Sequence, residues 1–316
     1  MANLLWLSFL VACVVVTLLS PFAAAQLRTG YYSSICPNLE TIIQSSVKQS
    51  RAQNVISGPA ALRLFFHDCA VGGCDASIMI VNSSGDDERH HPDDQSLKQP
   101  GFQTILDAKA AVDNDPQCRN KVSCADILAL AARESVFQSG GPYYQVELGR
   151  YDGRISTTNS VVLPHVDFNL DNLNAYFSNL GLSQTDMIAL SGGHTLGAAD
   201  CVFFQSRIGN GTDPTMDSTF AAQLRNTCAG QSFAFLDDTP AGFGNSYFKN
   251  LQAGRGLLGS DQVLYTDLRS RGTVNYYADH EDTFYYDFAN AMIRLGRVGV
   301  KTAANGEIRR DCLTPN

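Results

Sequence analysis

Cysteine is the residue type that most constrains how this chain can fold. Nine cysteines occur, and the first, Cys13, lies inside an apolar N-terminal stretch. The other eight are even in number and stand at positions 36, 69, 74, 118, 124, 201, 228 and 312. In an oxidising compartment such a set predicts four disulfides, although eight cysteines allow about 105 pairings and free buried thiols are the alternative. Spacing singles out only Cys69 and Cys74, which flank Gly72-Gly73 and are able to close a small loop.

The N-terminal stretch has the features of a secretory signal peptide. Residues 4–19 carry no charge, and this run is short for a membrane span. Ala23-Ala24-Ala25 then supply the small residues at which a signal peptidase cleaves. We expect a signal peptide over residues 1–25 and a secreted domain over residues 26–316 with no further membrane span. A retained N-terminal anchor is the alternative.

Composition narrows the class of partner. The chain has 316 residues, with 31 acidic against 23 basic side chains and a formal net charge of −8. Nucleic acid is therefore not expected as a partner, because binding it requires a basic face. With 44% hydrophobic residues, no internal repeat and no long linker, the chain is expected to form one globular domain. Asn82 and Asn210 stand in glycosylation sequons.

The periodic segments are mostly helical, which predicts a mainly α domain. Residues 123–133 are rich in strong helix formers, and residues 183–186 read as a capping box with Asp in place of Glu. Apolar residues over 284–295 recur at helical spacing, with Gly296 as a candidate C-cap. A small β-hairpin is predicted over residues 145–154.

One apolar helix carries an arginine and a histidine on the same face. Arg63 and His67 stand four residues apart among Leu64, Phe65 and Phe66. A base beside a fixed cation is what the activation of hydrogen peroxide requires, since one group takes a proton and the other stabilises the departing oxygen. Taken alone, the pair is a weak signal, and a buried histidine that is simply hydrogen-bonded is the more common case.

The segment that follows is rich in oxygen ligands. Side-chain oxygens of Asp68, Asp75 and Ser77 surround a tight loop in which the carbonyls of Val71 and Gly73 are also available. Such a set of hard oxygens suits calcium. A plain turn rich in Asp and Gly is the alternative.

A second histidine lies in a glycine-rich setting, in the run Ser191-Gly192-Gly193-His194-Thr195-Leu196-Gly197. Glycines beside a histidine allow a flat, bulky group to approach its ring, as an axial ligand of haem requires. By itself, this motif is also compatible with an ordinary histidine in a loop.

Together these segments resemble the class III plant secretory peroxidases, over essentially everything after Gln26. Residues 63–77 are similar to the distal motif and its calcium loop, and residues 191–197 to the proximal motif. Further blocks match in the same order, namely residues 122–126, 148–153, 259–262 and 308–312.

The resemblance implies about ten helices in two lobes with haem b between them. It implies that His67 is the acid/base, that Arg63 stabilises charge, and that His194 ligates iron while Asp261 accepts its other ring N–H. The expected substrates are hydrogen peroxide and phenolic donors, and the expected form is a monomer in the plant cell wall. Pro164 would line the donor channel, and Glu88 would link the distal side to calcium. The implied disulfides are Cys36–Cys118, Cys69–Cys74, Cys124–Cys312 and Cys201–Cys228.

Four departures from the family pattern bear on the site. Pro92-Asp93 stands where the family has Pro-Asn, so Asp93 is expected to accept the N–H of His67. Gly193 replaces an alanine, and His165-Val166 follows Pro164 in place of the usual run of prolines.

The fourth departure concerns a proximal calcium motif, which is one residue short. Thr195, Asp237 and Thr239 still offer oxygens, but Gly244 stands where the family has Asp. We therefore expect this site to be weak or empty, unless Asp238 compensates.

The sequence thus predicts a secreted haem peroxidase, acting in phenolic cross-linking, lignin-type polymerisation or peroxide removal. A peroxidase-fold protein with impaired haem chemistry and a binding or structural role is the alternative. A zinc hydrolase is disfavoured because no HExxH pair occurs among the six histidines.

Overall fold

The computed structural model describes residues 27–209 and 211–316 and is mainly α-helical. The predicted signal peptide, Cys13 and the sequon residue Asn210 lie outside the described residues. Twelve α-helices are formed within the described part: α1 Leu39–Gln53, α2 Ser57–Ala70, α3 Gln99–Asn114, α4 Cys124–Phe137, α5 Leu170–Asn179, α6 Gln184–Ser191, α7 Gln205–Ile208, α8 Ser218–Gly230, α9 Ser246–Gln252, α10 Gly259–Thr266, α11 Leu268–Asp279 and α12 Glu281–Leu295. The predicted mainly helical class is confirmed.

The first group of helices, α1 to α4, packs around α4. Helix α4 begins at the predicted place because the hydroxyl of Ser123 caps it, accepting the backbone N–H of Asp126 at 3.2 Å. Nearly every residue of α4 is buried, in keeping with its Ala- and Leu-rich sequence. This helix is the centre against which α2, the helix of Arg63 and His67, is packed.

The second group contains α6 and α9 to α12. The predicted capping box at the start of α6 is formed, with Ser183 accepting from the Asp186 N–H and the Asp186 carboxylate accepting from Ser183. The predicted apolar face of α12 is buried, including Phe284, Phe288 and Leu295. It packs against α6, directly before the segment that carries His194.

The one sheet of the described residues has two short antiparallel strands, β1 Ala198–Asp200 and β2 Phe233–Phe235, with Ala199 opposite Ala234. The hairpin predicted over residues 145–154 is wrong. Its two halves pair instead with distant segments, through the isolated bridges Arg28–Leu148, Tyr151–Lys301 and Asp152–Glu307. The backbone of this extended segment pairs with residues far away along the chain, and the local sequence does not indicate these partners.

The four disulfides implied by the resemblance are all formed, and they are Cys36–Cys118, Cys69–Cys74, Cys124–Cys312 and Cys201–Cys228. The Cys124–Cys312 bond fixes the C-terminal segment to the start of α4 across a separation of 188 residues. Among the helices described, none is long and apolar enough to cross a membrane.

Candidate active site

Helix α2 places Arg63 and His67 one turn apart, as their spacing predicted. Nε of Arg63 donates to Nε2 of His67 at 3.1 Å. The guanidinium of Arg63 also donates to Ser96, to the backbone carbonyl at 3.2 Å and to the side-chain hydroxyl at 2.8 Å. Because a guanidinium only donates, Nε2 of His67 is the accepting nitrogen, and the proton of the neutral ring lies on Nδ1.

Nδ1 of His67 faces a carboxylate, but not the one that was expected. Asp94 Oδ1 lies 2.5 Å from it, and Asp94 is only 2% exposed. The expectation for Asp93 is wrong, since its carboxylate points outward and lies 3.6 Å from Nδ1 of His91. Consecutive side chains of the turn after His91 point in different directions, and only the second aspartate points inward. Asp93 and Asp94 are adjacent, and no local sequence pattern indicates which of the two carboxylates faces His67.

The surroundings of His67 favour its neutral form. Burial lowers its pKa to about 4, with a further lowering by the Arg63 cation, while the carboxylates of Asp94 and Asp93 raise it. A neutral imidazole with an accepting Nε2 is a base in the state required to take a proton.

His194 lies on the other side of the site, in a 3₁₀ helix over Gly192–Thr195 that continues from α6. Its Nδ1 is 2.8 Å from Oδ1 of Asp261, a residue in the first turn of α10. This contact was expected from the resemblance and is formed. It leaves Nε2 as the nitrogen for a metal ion.

The two glycines before His194 differ in the room around them. A Cβ at Gly192 would lie 2.4 Å from the ring of Phe284, so only glycine fits there. A Cβ at Gly193 would meet Leu62 and Phe288 only at 3.8 Å, an ordinary contact distance. The glycine at 193 is therefore compatible with the alanine usual in the family, and its presence leaves the site intact.

Arg63 and His194 are both partly accessible and yet desolvated. Arg63 is exposed, and the side chain of His194 is 42% exposed. Desolvation by the surrounding protein nevertheless lowers the pKa of Arg63. Burial also lowers the pKa of His194, but Asp261 outweighs it and the net pKa is raised, with the Arg63 cation opposing. Arg63 and His194 are accessible although they are desolvated, and the charge of Arg63 acts on His194. This combination indicates that both residues line one internal cleft. The residues present therefore fit a flat group such as haem.

The loop after His67 brings buried carboxylates together. Asp68 accepts from the Ala76 N–H at 2.9 Å, and Asp75 accepts from the Ser77 N–H at 3.0 Å. Burial raises the pKa of Asp68, and the neighbouring Asp75 carboxylate raises it further. Burial and the Asp68 charge likewise raise the pKa of Glu88 to about 9, and one of its oxygens is buried without a hydrogen-bond partner among the described residues.

Buried carboxylates that destabilise one another are expected to bind a cation. The Cys69–Cys74 bond closes the loop, and Gly73, with φ +117, adopts a backbone conformation that side chains disfavour. Within residues 27–209 and 211–316 no three His, Cys, Asp or Glu side chains form a metal cluster. A calcium set that uses two carboxylates, the Ser77 hydroxyl and the carbonyls of Val71 and Gly73 agrees with that.

The C-terminal segment covers this loop, a contact that no local sequence pattern predicts. The Cys74 N–H donates to the Val298 carbonyl at 2.9 Å, and a Cβ at Gly73 would lie 2.4 Å from the carbonyl oxygen of Gly299. Nζ of Lys301 donates to the Gly72 carbonyl at 3.0 Å and lies 3.4 Å from Oδ2 of Asp75.

The residues of the proximal motif are hydrogen-bonded to one another. Asp237 accepts from the Thr195 hydroxyl at 2.6 Å and from the Thr239 N–H at 2.6 Å. Asp238 does not join them, because its carboxylate pairs with Arg255 at 2.9 Å.

Gly244 brings no carboxylate to that motif, but one stands nearby. Oε1 of Glu281 lies 3.0 Å from the position of a Cβ at Gly244 and accepts the Asn245 N–H at 3.1 Å.

Pro164 lies on the segment that leads from the distal side to α5. Its neighbours Val161 and Leu163 pack on Ala70 and Val71, at the end of the helix that carries His67. His165 is exposed beside it, with its ring centroid 5.3 Å from that of Phe168.

A groove of about 640 Å³ between α1 and α3 is lined by hydroxyl and amide side chains such as Ser45 and Gln49, and none of the predicted site residues lines it.

Comparison with known proteins agrees with this geometry. A family model described as peroxidase matches residues 43–280. Peroxidase 45 of Arabidopsis thaliana is 55% identical over 311 residues, covering 95% of each chain. Peroxidase 16 and Peroxidase 51 of the same plant are 53% and 48% identical, over 98% and 92% of each chain. The chain therefore belongs to the peroxidase family, as a class III plant peroxidase.

Proposed function

We propose that this chain is a secreted, monomeric haem peroxidase that reduces hydrogen peroxide and oxidises phenolic donors one electron at a time outside the cell. The observation that carries the proposal is a pair of histidines with defined partners. His67 is hydrogen-bonded to Arg63 and Asp94, and His194 is paired with Asp261 while the Arg63 cation acts on it.

Haem b held through Nε2 of His194 would supply the iron at which peroxide is reduced and donors are oxidised. The Asp261 carboxylate keeps the His194 ring oriented and raises its basicity.

The distal residues move one proton and stabilise one charge. Nε2 of His67 accepts a proton from hydrogen peroxide and returns it to the departing oxygen, which leaves as water. The Arg63 guanidinium stabilises the negative charge on that oxygen as the O–O bond breaks. Ser96 holds Arg63, and Asp94 keeps the proton of neutral His67 on Nδ1, so both residues position the pair.

Calcium is proposed at the distal loop, with Asp68, Asp75, Ser77 and the carbonyls of Val71 and Gly73 as ligands. Glu88 would connect that ion to the distal pocket, and the buried oxygen without a partner supports this role. At the proximal motif the oxygens of Thr195, Asp237 and Thr239 would bind calcium weakly, because they already satisfy one another.

Donors are proposed to enter beside Pro164, and glycans to be attached at the exposed Asn82 and at Asn210. A haem-impaired binding protein, the alternative raised by the sequence, loses part of its support because Gly193 leaves the proximal site intact.

The test compares His67→Ala with His91→Ala, which changes a histidine that faces Asp93 outside the cleft. We expect both variants to show a Soret band. The rate at which peroxide changes that band should fall by at least about 100-fold in His67→Ala, the usual effect of an acid/base, and stay unchanged in His91→Ala. Equal rates in both variants would remove His67 from the mechanism. A wild-type chain with no Soret band or no phenol oxidation would favour the binding protein.

A further inference from the structure

One carboxylate oxygen on the proximal side receives two hydrogen bonds. Oδ1 of Asp261 lies 2.8 Å from Nδ1 of His194 and also 2.8 Å from the hydroxyl of Tyr247. Tyr247 is 2% exposed, and its ring meets that of His194 edge-on, at a centroid distance of 6.1 Å. A carboxylate only accepts, so both the imidazole N–H and the phenol O–H donate to the same atom.

Two donors on one oxygen weaken each other, because each draws on the same negative charge. Asp261 lies in the first turn of α10, where the helix N-terminus favours the charged form of a carboxylate. The phenol hydrogen bond then reduces the charge left for the His194 N–H. A histidine whose N–H is held less tightly has less imidazolate character and passes less electron density to a metal.

We propose that Tyr247 is a positioning residue that sets how strongly Asp261 pulls on the Nδ1 proton of His194, and thereby the electron density that His194 offers to iron. This inference rests on the proposed role of His194 as the axial ligand. It adds a third residue to the pair expected from the sequence.

The chain contains a matched control for a purely structural role. Tyr277 is also buried, at 1% exposure, and its hydroxyl donates to Oδ2 of Asp287 at 2.7 Å. Both tyrosine rings pack on Phe248, with centroid distances of 5.0 Å for Tyr247 and 5.1 Å for Tyr277. Loss of either hydroxyl therefore removes a phenol–carboxylate hydrogen bond beside the same core residue, but only one of the carboxylates contacts His194.

The experiment uses haem-loaded Tyr247→Phe and Tyr277→Phe. In Tyr247→Phe, Asp261 becomes a stronger acceptor for His194, and the ferric form is favoured over the ferrous form. We expect the ratio of ferric to ferrous protein at a given potential to rise three- to tenfold. At 59 mV per tenfold for one electron, this is a fall in reduction potential of roughly 30–60 mV. The iron–histidine stretching frequency of the ferrous protein should rise. Both quantities should stay at the wild-type value in Tyr277→Phe.

A second change at position 247 should shift the reduction potential and the stretching frequency in the opposite direction, and it keeps the aromatic ring in place. Site-specific incorporation of a fluorinated tyrosine there makes the phenol a stronger donor, so the potential should rise and the stretching frequency should fall. This version tests the inference even when Tyr247→Phe folds poorly, which thermal unfolding and the haem-to-protein ratio would reveal.

Failure of the inference and failure of the proposed function give different results. If wild-type and Tyr247-substituted proteins share one potential and one stretching frequency, the role of Tyr247 is refuted while His194 remains the ligand. If His194→Ala retains the iron–histidine stretching band, the proposed axial ligand itself is wrong.

Discussion

Asp94 places a carboxylate 2.5 Å from the ring nitrogen of His67 that faces away from Arg63. The family pattern has Pro-Asn where this chain has Pro92-Asp93, but the neighbouring Asp94 is the residue that contacts His67, so this histidine is paired with an anion. A carboxylate stabilises the protonated imidazole, whereas the neighbouring Arg63 cation and burial oppose it. The balance among these three effects decides the pH below which the His67 ring is protonated and would, in the proposed mechanism, no longer act as a base.

We expect Asp94→Asn to lower the acid limb of the pH–rate profile for peroxide reduction. Burial and Arg63 already lower the pKa of His67 to about 4, and Asp94 is an influence that raises it. Without that anion the neutral base persists to lower pH, and the limb should move down by about one pH unit. Stopped-flow rates between pH 3 and 7 measure it, with Asp93→Asn as the control because its carboxylate points outward. A limb that stays in place, or that moves equally in both variants, would contradict a direct Asp94–His67 contact in solution.

A pair of adjacent glycines offers a steric prediction. Gly193→Ala should bind haem normally and change the free energy of unfolding by at most about 1 kcal/mol, because its Cβ meets nothing closer than 3.8 Å. Gly192→Ala should lose about 1–3 kcal/mol, because its Cβ would press on Phe284 at 2.4 Å. Urea unfolding and the Soret band report both effects. Similar losses in the two variants would show that the segment before His194 is packed differently.

The rim beside Pro164 leads to a prediction about charged donors. His165 is exposed there and offers a ring N–H to a carboxylate. A surface contact of this kind with a donor that carries a carboxylate, such as ferulate, is worth about 0.2–1 kcal/mol. His165→Ala should therefore lower kcat/KM for ferulate by roughly 1.4- to 5-fold.

Coniferyl alcohol, which carries no carboxylate, and the exposed His280→Ala variant serve as controls for that measurement. Identical ferulate kinetics in wild type and His165→Ala would place the donor entrance elsewhere.

Elemental analysis of chelator-washed protein should give close to one calcium per haem. The distal loop offers Asp68 and Asp75 together with the uncompensated Glu88, whereas Asp237 at the proximal motif is already satisfied by two threonines. Affinity for calcium increases with carboxylate count, so only the distal ion should resist the wash. Two tightly held ions would mean that the proximal site has been rebuilt. In that event Glu281→Gln should return the count to one, because Glu281 is the carboxylate that stands beside Gly244.

The relative placement of residues on one helix was predictable from the sequence. Arg63 and His67 share a face because their spacing matches the helical repeat, and the pairing of His194 with Asp261 followed from the resemblance to the family. Which of two adjacent aspartates faces His67 was not predictable, because the turn that aims them depends on tertiary packing. Tyr247 was missed for the same reason, since nothing near it in sequence indicates that its hydroxyl meets Asp261.

Strand pairing shows the same limit. Residues 145–154 have the pattern of a hairpin, but their backbone groups pair with Arg28, Lys301 and Glu307. An alternating sequence specifies that a segment prefers extended structure, and it does not specify the partner. The distal loop likewise depends on Lys301, which stands 229 residues after Gly72.

The contact between the distal loop and the C-terminal segment affects the order of events during synthesis. At roughly 5–20 residues per second, the ribosome needs roughly 10–50 s to extend the chain by the 229 residues that lead from Gly72 to Lys301. The Cys69–Cys74 bond is able to close early, whereas the loop cannot receive Gly299 or Lys301 until the proximal histidine has already been translated. The nascent chain therefore carries His194, the proposed haem ligand, before the loop that follows His67 has received its C-terminal cover. In the proposed mechanism, the chain becomes competent for peroxide only after the residues proposed to hold the haem have been made.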